Sequence, residues 1–237
     1  MKRLTIFLMV LIIPFSLFSM DISEAIGDTT LFIYAFETNL HNLRITLDVL
    51  SKTEEVKSGE WEQMSGLIEE LQKQDESTLY WFSNPDGTYY TVEKGLTDYN
   101  LQEREYFQQL QQKESVYGTV ITGYTSQKKS IVVAQPVFKD DKLVGYLGGS
   151  KYTDSLVEYL DMMAQNGVVR SFYVITSEGE DIIQYNIDEK MAKNLNALML
   201  ETGFGLYPMS ENSSLKYQYI FGPSPETGWL YAVGKKK

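Results

Sequence analysis

The hydrophobic rhythm of the chain changes at residue 78. Before it, from residue 22 to about 74, apolar residues recur at helical spacing. Phe36, Leu40, Leu43, Leu47 and Leu50 alternate steps of four and three and fall on one stripe. That stripe either covers the protein's own sheet or meets a parallel helix from a second subunit. A break is expected near Ser58-Gly59, after which Trp61, Met64, Leu67, Ile68 and Leu71 restart a helical period. From Thr78 the period shortens. "TLYWFSNPDGTYYTV" reads as strand, turn, strand, because Pro85 presets φ for a turn and Gly87 tolerates positive φ. Residues 99 to 114 read as helix, followed by strands at about 119–125, 130–138 and 143–150, with "KDDK" at 139–142 as the last hairpin turn.

After the helical stretch "DSLVEYLDMMAQ" the pattern repeats in reduced form. "RSFYVITSEGEDIIQYN" is again strand, turn, strand; a helix follows at about 189–200; "LKYQYIFGP" and "GWLYAVG" close as strands. The expected fold class is α+β: a long N-terminal helix carrying two units built on antiparallel sheets. Neither unit has a βαβ rhythm, which disfavours a parallel sheet.

Residues 1–20, "MKRLTIFLMVLIIPFSLFSM", stand apart. Lys2 and Arg3 precede an apolar run from Leu4 to about Phe18 and then Ser19, the order of an export signal. The run is short for a spanning helix, so it is either a cleaved signal peptide or an N-terminal anchor. The expected location is periplasmic or extracellular, with attachment to the inner membrane if the segment stays uncleaved.

Composition narrows the function classes. Among 237 residues, 43% are hydrophobic and 13% aromatic, which suits a packed core; most of the 17 tyrosines fit half-buried sheet faces, and the same amphipathic rings also suit a binding surface. The formal net charge is −11, and becomes −13 once the two bases of residues 1–20 are removed. Such a balance argues against nucleic acid or anionic lipid as partners. There is no cysteine, and His41 is the single histidine. Thiol chemistry, a Ser-His-Asp triad and a zinc cluster are therefore excluded. No phosphate-binding glycine loop occurs, and no cofactor is implied. Asp140 and Asp141 sit in an expected turn, where solvated turn chemistry outweighs acid catalysis. Nothing positive supports a hydrolase, although a carboxylate-only one stays conceivable.

One stretch concentrates candidate binding chemistry. "DYNLQEREYFQQL", residues 98–110, holds Tyr99, Arg104, Tyr106 and Phe107. Either Arg104 pairs with Glu103 or another acid on a helix surface, or it is one wall of a pocket for a small anion.

In the order of its elements and motifs the chain resembles the double Cache (PAS-like) extracytoplasmic sensor domains of bacterial chemoreceptors, sensor kinases and cyclase-type receptors. The resemblance rests on the hairpin "YWFSNPDGTYY", the "REYF" stretch, "SIVVAQPVF", "DKLVGYLGGS", and the smaller repeat from "FYVITSEGEDIIQYN" to "TGWLYAVG". It covers about residues 22–234, and its specificity lies in the order of motifs. It implies a scaffold helix over 21–76, a membrane-distal Cache module with the ligand pocket over 77–160, and a smaller module over 161–237. The amino-acid-binding branch carries Tyr, four residues, Arg, one residue and two aromatics, which Tyr99, Arg104, Tyr106 and Phe107 match. Its pocket continues into "ITGYTS" and the end of "GYLGG", here Tyr124, Ser126 and Ser150. That branch places carboxylates at the last two positions to hold a ligand ammonium. Serines there point instead to an organic acid or another neutral or anionic metabolite. Receptors of this family continue into a membrane helix and an output domain, whereas this sequence ends at "GKKK". The expectation is a sensing module without its own output domain, acting through a membrane receptor or kinase partner, and pairing as a homodimer through the N-terminal helix. A structural or surface interaction protein reusing the fold is the competing reading.

Overall fold

The computed structural model describes residues 22–165, 169–207 and 217–236. Residues 1–20, expected from the sequence to act as an export signal or anchor, lie outside the described residues. Helix α1 spans Ile22–Leu50, the one-turn helix α2 Glu54–Lys57, and α3 Trp61–Gln74. The continuous helix expected to about residue 58 thus stops earlier. Thr53 takes an extended conformation and its hydroxyl caps the Val56 N–H at 3.4 Å, so the chain restarts as a new helix with Glu54 and Glu55 in its first turn. Gly59, at φ +73°, makes the second break where it was expected.

The first sheet is built from β1 (Thr78–Ser83), β2 (Thr88–Thr91), β3 (Gly95–Asn100), β4 (Val116–Thr122), β5 (Lys129–Lys139) and β6 (Lys142–Tyr152), in the order β3-β2-β1-β6-β5-β4. Helix α4 covers Glu105–Gln111, and α5 (Thr153–Gln165) leads out of the sheet. The second sheet has β7 (Val169–Ile175), β8 (Asp181–Tyr185), β9 (Gly205–Tyr207), β10 (Tyr217–Pro223) and β11 (Leu230–Lys236), ordered β8-β7-β11-β10-β9, with α6 (Glu189–Thr202) across it. Neighbouring strands in both sheets pair antiparallel, as the absence of a βαβ rhythm required. Asp140 and Asp141 both have positive φ, the geometry that matches a two-residue turn to the strand twist.

Two expectations are corrected here. Residues 99–114 are not one helix: β3 runs to Asn100, a 3-10 turn covers Leu101–Glu103, and α4 begins only at Glu105. The cause is the first hairpin. The Leu101 N–H donates to the Gly87 carbonyl at 2.8 Å, and Asn100 Nδ2 to the Asp86 carbonyl at 3.1 Å, so the turn draws this segment into the sheet. Gly87 lies at φ +84°, and a Cβ there would stand 2.3 Å from Asn100 Oδ1. The short edge strand β9 was not expected at all.

Helix α1 serves two cores. Phe32, Phe36 and Leu40 pack with Phe172, Val174, Trp229 and Tyr231 of the second sheet, while Leu43 and Leu47 pack with Tyr80, Phe82, Val133 and Leu147 of the first. The apolar stripe therefore covers the protein's own sheets and is not free to meet a second subunit. Against the second sheet Glu37 is buried, and its carboxylate accepts the hydroxyls of Ser224 and, at 2.9 Å, Thr227. Bonds of this kind are what keep a buried carboxylate tolerable.

Candidate functional site

The face of the first sheet turned away from α1 carries an aromatic cluster of Trp81, Tyr89, Tyr106, Phe107 and Tyr146 with Leu101, Leu110 and Val116. Alternation along β1 sets this: Trp81 points to the cluster, while Tyr80 and Phe82 join the α1 side. The Trp81 ring lies across Gly148 of β6, where a Cβ would be only 2.1 Å from it. Its indole N–H donates to Ser150 Oγ at 3.1 Å.

Arg104 stands where the 3-10 turn gives way to α4. Its backbone is extended, at φ −88° and ψ 131°, and its side chain does not cap the helix. Instead Nη2 donates to the Thr122 carbonyl at 2.7 Å, and the guanidinium carbon lies 3.5 Å from the centroid of the Tyr124 ring. Nε is buried without a hydrogen-bond partner. Tyr99 stacks on Tyr124 at 5.0 Å and 14°, and the Tyr124 hydroxyl reaches Glu103 Oε2 at 3.4 Å. Burial pushes the Tyr106 phenol well above the ordinary tyrosine range; the charge of Arg104 opposes this, and Tyr89 and Tyr124 add to it.

The structure thus brings Tyr99, Arg104 and Tyr124 into one stacked group, with Tyr106 beside it. Phe107 lies deeper, edge-on to Tyr146 at 5.3 Å. Ser150 is buried beneath Trp81. Ser126 sits in the turn after β4, where its hydroxyl accepts the Lys128 N–H at 3.3 Å. A cavity of about 410 Å³ opens beside Tyr99 and Tyr124, with Lys94, Asp98, Thr125 and Gln127 on its walls.

Several residues here escaped the sequence reading. Tyr89 reaches Thr125 Oγ1 at 2.9 Å and closes the rim between β2 and the turn after β4. The alternation in "TYYT" was a usable signal, since Tyr90 faces the other way and stacks on Trp61. Trp81 had no signal beyond its strand. Lys151, beside Ser150, points to the opposite face and pairs with Asp75 at 3.2 Å. His41 bonds Arg44 at 3.0 Å and lies 4.0 Å from Glu226. Among the described residues no group of three or more acidic or histidine side chains is placed to hold a metal, and no helix is long and apolar enough to cross a membrane.

No family model and no curated protein matches the sequence. Solved structures do match the fold. The ligand-binding domain of the Campylobacter jejuni chemoreceptor Tlp3, in complex with 4-methylisoleucine, is 13% identical, with 95% of each chain covered and a TM-score of 0.64. A domain of a sensory box/GGDEF family protein from Vibrio parahaemolyticus is 12% identical, covering 91% of this chain and 96% of that one, at a TM-score of 0.66. The extracellular domain assigned to a histidine kinase is 12% identical over 90% of each chain, also at 0.66. The double Cache architecture expected from the order of motifs is thus the fold that this chain shares with the sensory domains of chemoreceptors and sensor kinases.

Proposed function

We propose that this chain is an extracytoplasmic sensing module that binds a small organic acid in its first sheet unit and passes the signal to a membrane receptor or kinase partner. One observation carries the reading: Arg104, with a buried and unpartnered Nε, is stacked on Tyr124, which lines a cavity of about 410 Å³. A buried donor without a partner carries a desolvation cost that a ligand carboxylate would relieve. Tyr99, Tyr106 and Tyr124 would wall the ligand from water, Phe107 would back Tyr106, and Ser126 and Ser150 would contribute no charge of their own. A ligand ammonium would find no counter-charge at either serine, and Asp98 and Lys94 together add no net charge to the cavity wall, so the spare donor of Arg104 is what favours an acid.

The sensory role follows the likeness in fold to domains of chemoreceptors and kinases. Export to the periplasm or cell surface by residues 1–20 and pairing of two copies along α1 belong to the same proposal. Pairing would use a different face from the buried stripe. Leu31, Tyr34, Ile45 and Val49 are all exposed and fall within roughly 60° of one another around the helix axis, opposite Phe36, Leu40 and Leu47.

The test is calorimetric titration of the protein with a panel of mono- and dicarboxylates, repeated on Arg104→Ala. At least one acid should bind saturably to the parent and lose at least about tenfold in affinity in the variant. Absence of any binding acid, or equal affinity in Arg104→Ala, would overturn the reading.

A further inference from the structure

A cavity of about 700 Å³ lies away from Arg104, between α6 and the β7–β8 hairpin of the second sheet. Its volume is that of a small-molecule site. Five charged side chains line it: Lys193 and Glu189 pair with each other at 2.7 Å, whereas Lys129, Asp181 and Glu180 form no ion pair among the described residues. Lys129, from β5 of the first sheet, donates to the main-chain carbonyl of Asp181. Among the described residues no carboxylate comes within 4.0 Å of its ammonium. The Asp181 carboxylate accepts the Tyr173 hydroxyl and, at 2.7 Å, Gln184 Nε2, with Asn196 Nδ2 at 3.5 Å. All three donors are neutral, and no Lys or Arg of the described residues pairs with it.

Both groups have capacity left. An ammonium has three donors, and a carboxylate offers about four acceptor sites. The surroundings are held in place: Asn196 also donates to the Gly179 carbonyl at 2.9 Å and to the Tyr173 hydroxyl at 3.1 Å. Gly179, at φ +89°, is packed so close to α6 that a Cβ would meet Leu200 at 2.8 Å. A preorganised cavity with a cation and an anion held apart is complementary to a molecule carrying the reverse charges.

We infer that this cavity binds a small zwitterion, its primary amine on Asp181 and its carboxylate on Lys129. Because Lys129 belongs to the first sheet and Asp181 to the second, the bound molecule bridges the two units and ties its occupancy to their relative position. The site is independent of Arg104 and of the acid proposed there.

Calorimetry with a spacer series tests it: glycine, β-alanine, 4-aminobutyrate and 6-aminohexanoate, with propionate and ethylamine as single-charge controls. At least one zwitterion should bind saturably, both controls at least about tenfold more weakly, and Lys129→Gln and Asp181→Asn should each lose about tenfold or more. Arg104→Ala should leave this affinity unchanged. Asparagine can still accept the Tyr173 hydroxyl, and Lys129→Gln keeps the test open if Asp181→Asn fails to fold. The inference is overturned if no member of the series binds, if a control binds as well, or if binding falls in Arg104→Ala but not in Lys129→Gln.

Discussion

The guanidinium carbon of Arg104 lies 3.5 Å from the centroid of the Tyr124 ring, close enough that the planar group stacks rather than merely approaches. Stacking and the Thr122 carbonyl together orient Arg104, and both depend on a planar fork. Arg104→Lys keeps the charge but loses the plane. Acid binding in this variant should fall by about tenfold, between the parent and Arg104→Ala, since an ammonium replaces a bidentate contact by a single point charge. Calorimetry of the three proteins with one binding acid decides it. Equal affinities for Arg104→Lys and the parent would mean that charge alone matters at this position.

Ser150 offers the complementary change. Its hydroxyl accepts the Trp81 indole N–H inside the aromatic cluster, so Ser150→Asp would keep that acceptor while adding a buried charge. The variant should melt at a lower temperature and should shift preference toward ligands bearing an amine, which would supply the missing counter-charge. The readout is the affinity ratio for succinate against aspartate. A ratio equal to that of the parent removes Ser150 from the site.

The same tryptophan explains the first glycine of "YLGGS"; the second, Gly149, is packed under Leu43, which a Cβ there would meet at 2.8 Å. A Cβ on Gly148 would stand 2.1 Å from the Trp81 ring, so Gly148→Ala forces the indole off its bond to Ser150. Overpacking of this kind costs about 1–3 kcal/mol. For a chain of this size that corresponds to roughly 2–4 °C of melting temperature per kcal/mol. A thermal melt unchanged within 1–2 °C (about half a kcal/mol) would show that the ring relaxes freely.

What was legible in the sequence followed from local rules. The "NPDG" and "KDDK" turns, the alternation in β1 and the stripe from Phe36 to Leu47 each follow from neighbours a few residues apart. Tyr99 was misplaced onto a helix because its strand is held by Gly87 and Asp86, residues of the preceding hairpin. Trp81 over Ser150, Tyr89 on Thr125 and Lys129 beside Asp181 join positions 36 to 69 residues apart. Periodicity assigns a side chain to a face; it does not say which partner waits across the sheet.

The exposed side of α1 tests the pairing of two copies. Ile45 and Val49 are about half exposed, on the face opposite the buried stripe. Ile45→Glu places a charge there without replacing a buried residue. If two copies meet along this face, the parent should sediment as a dimer at micromolar concentration and the variant as a monomer, with unchanged melting of the individual chain. A parent that sediments as a monomer throughout would sink the pairing.

The link between α3 and the first sheet predicts a pH dependence. Asp75, just after α3, accepts the hydroxyls of Ser77, Thr78 (2.7 Å) and Tyr80 (3.1 Å) and the Lys151 ammonium at 3.2 Å. Burial pushes its carboxyl upward, but the bonds from Ser77 and Thr78 and the charge of Lys151 outweigh burial and hold it below the usual carboxylate range. A carboxyl lowered in the folded state contributes stability that is complete above its unfolded value, near 3.9, and is lost as the pH falls through the folded value. Asp75→Asn removes this contribution and leaves Lys151, which is 8% exposed, without a counter-charge. The variant should be less stable by about 1–3 kcal/mol at pH 7. The gap to the parent should narrow as both are taken below about pH 4, because only the parent then loses the ionised carboxylate. Urea unfolding of the two proteins at pH 7 and near pH 3 measures this, and a gap of equal size at both values would mean that Asp75 acts through shape rather than charge.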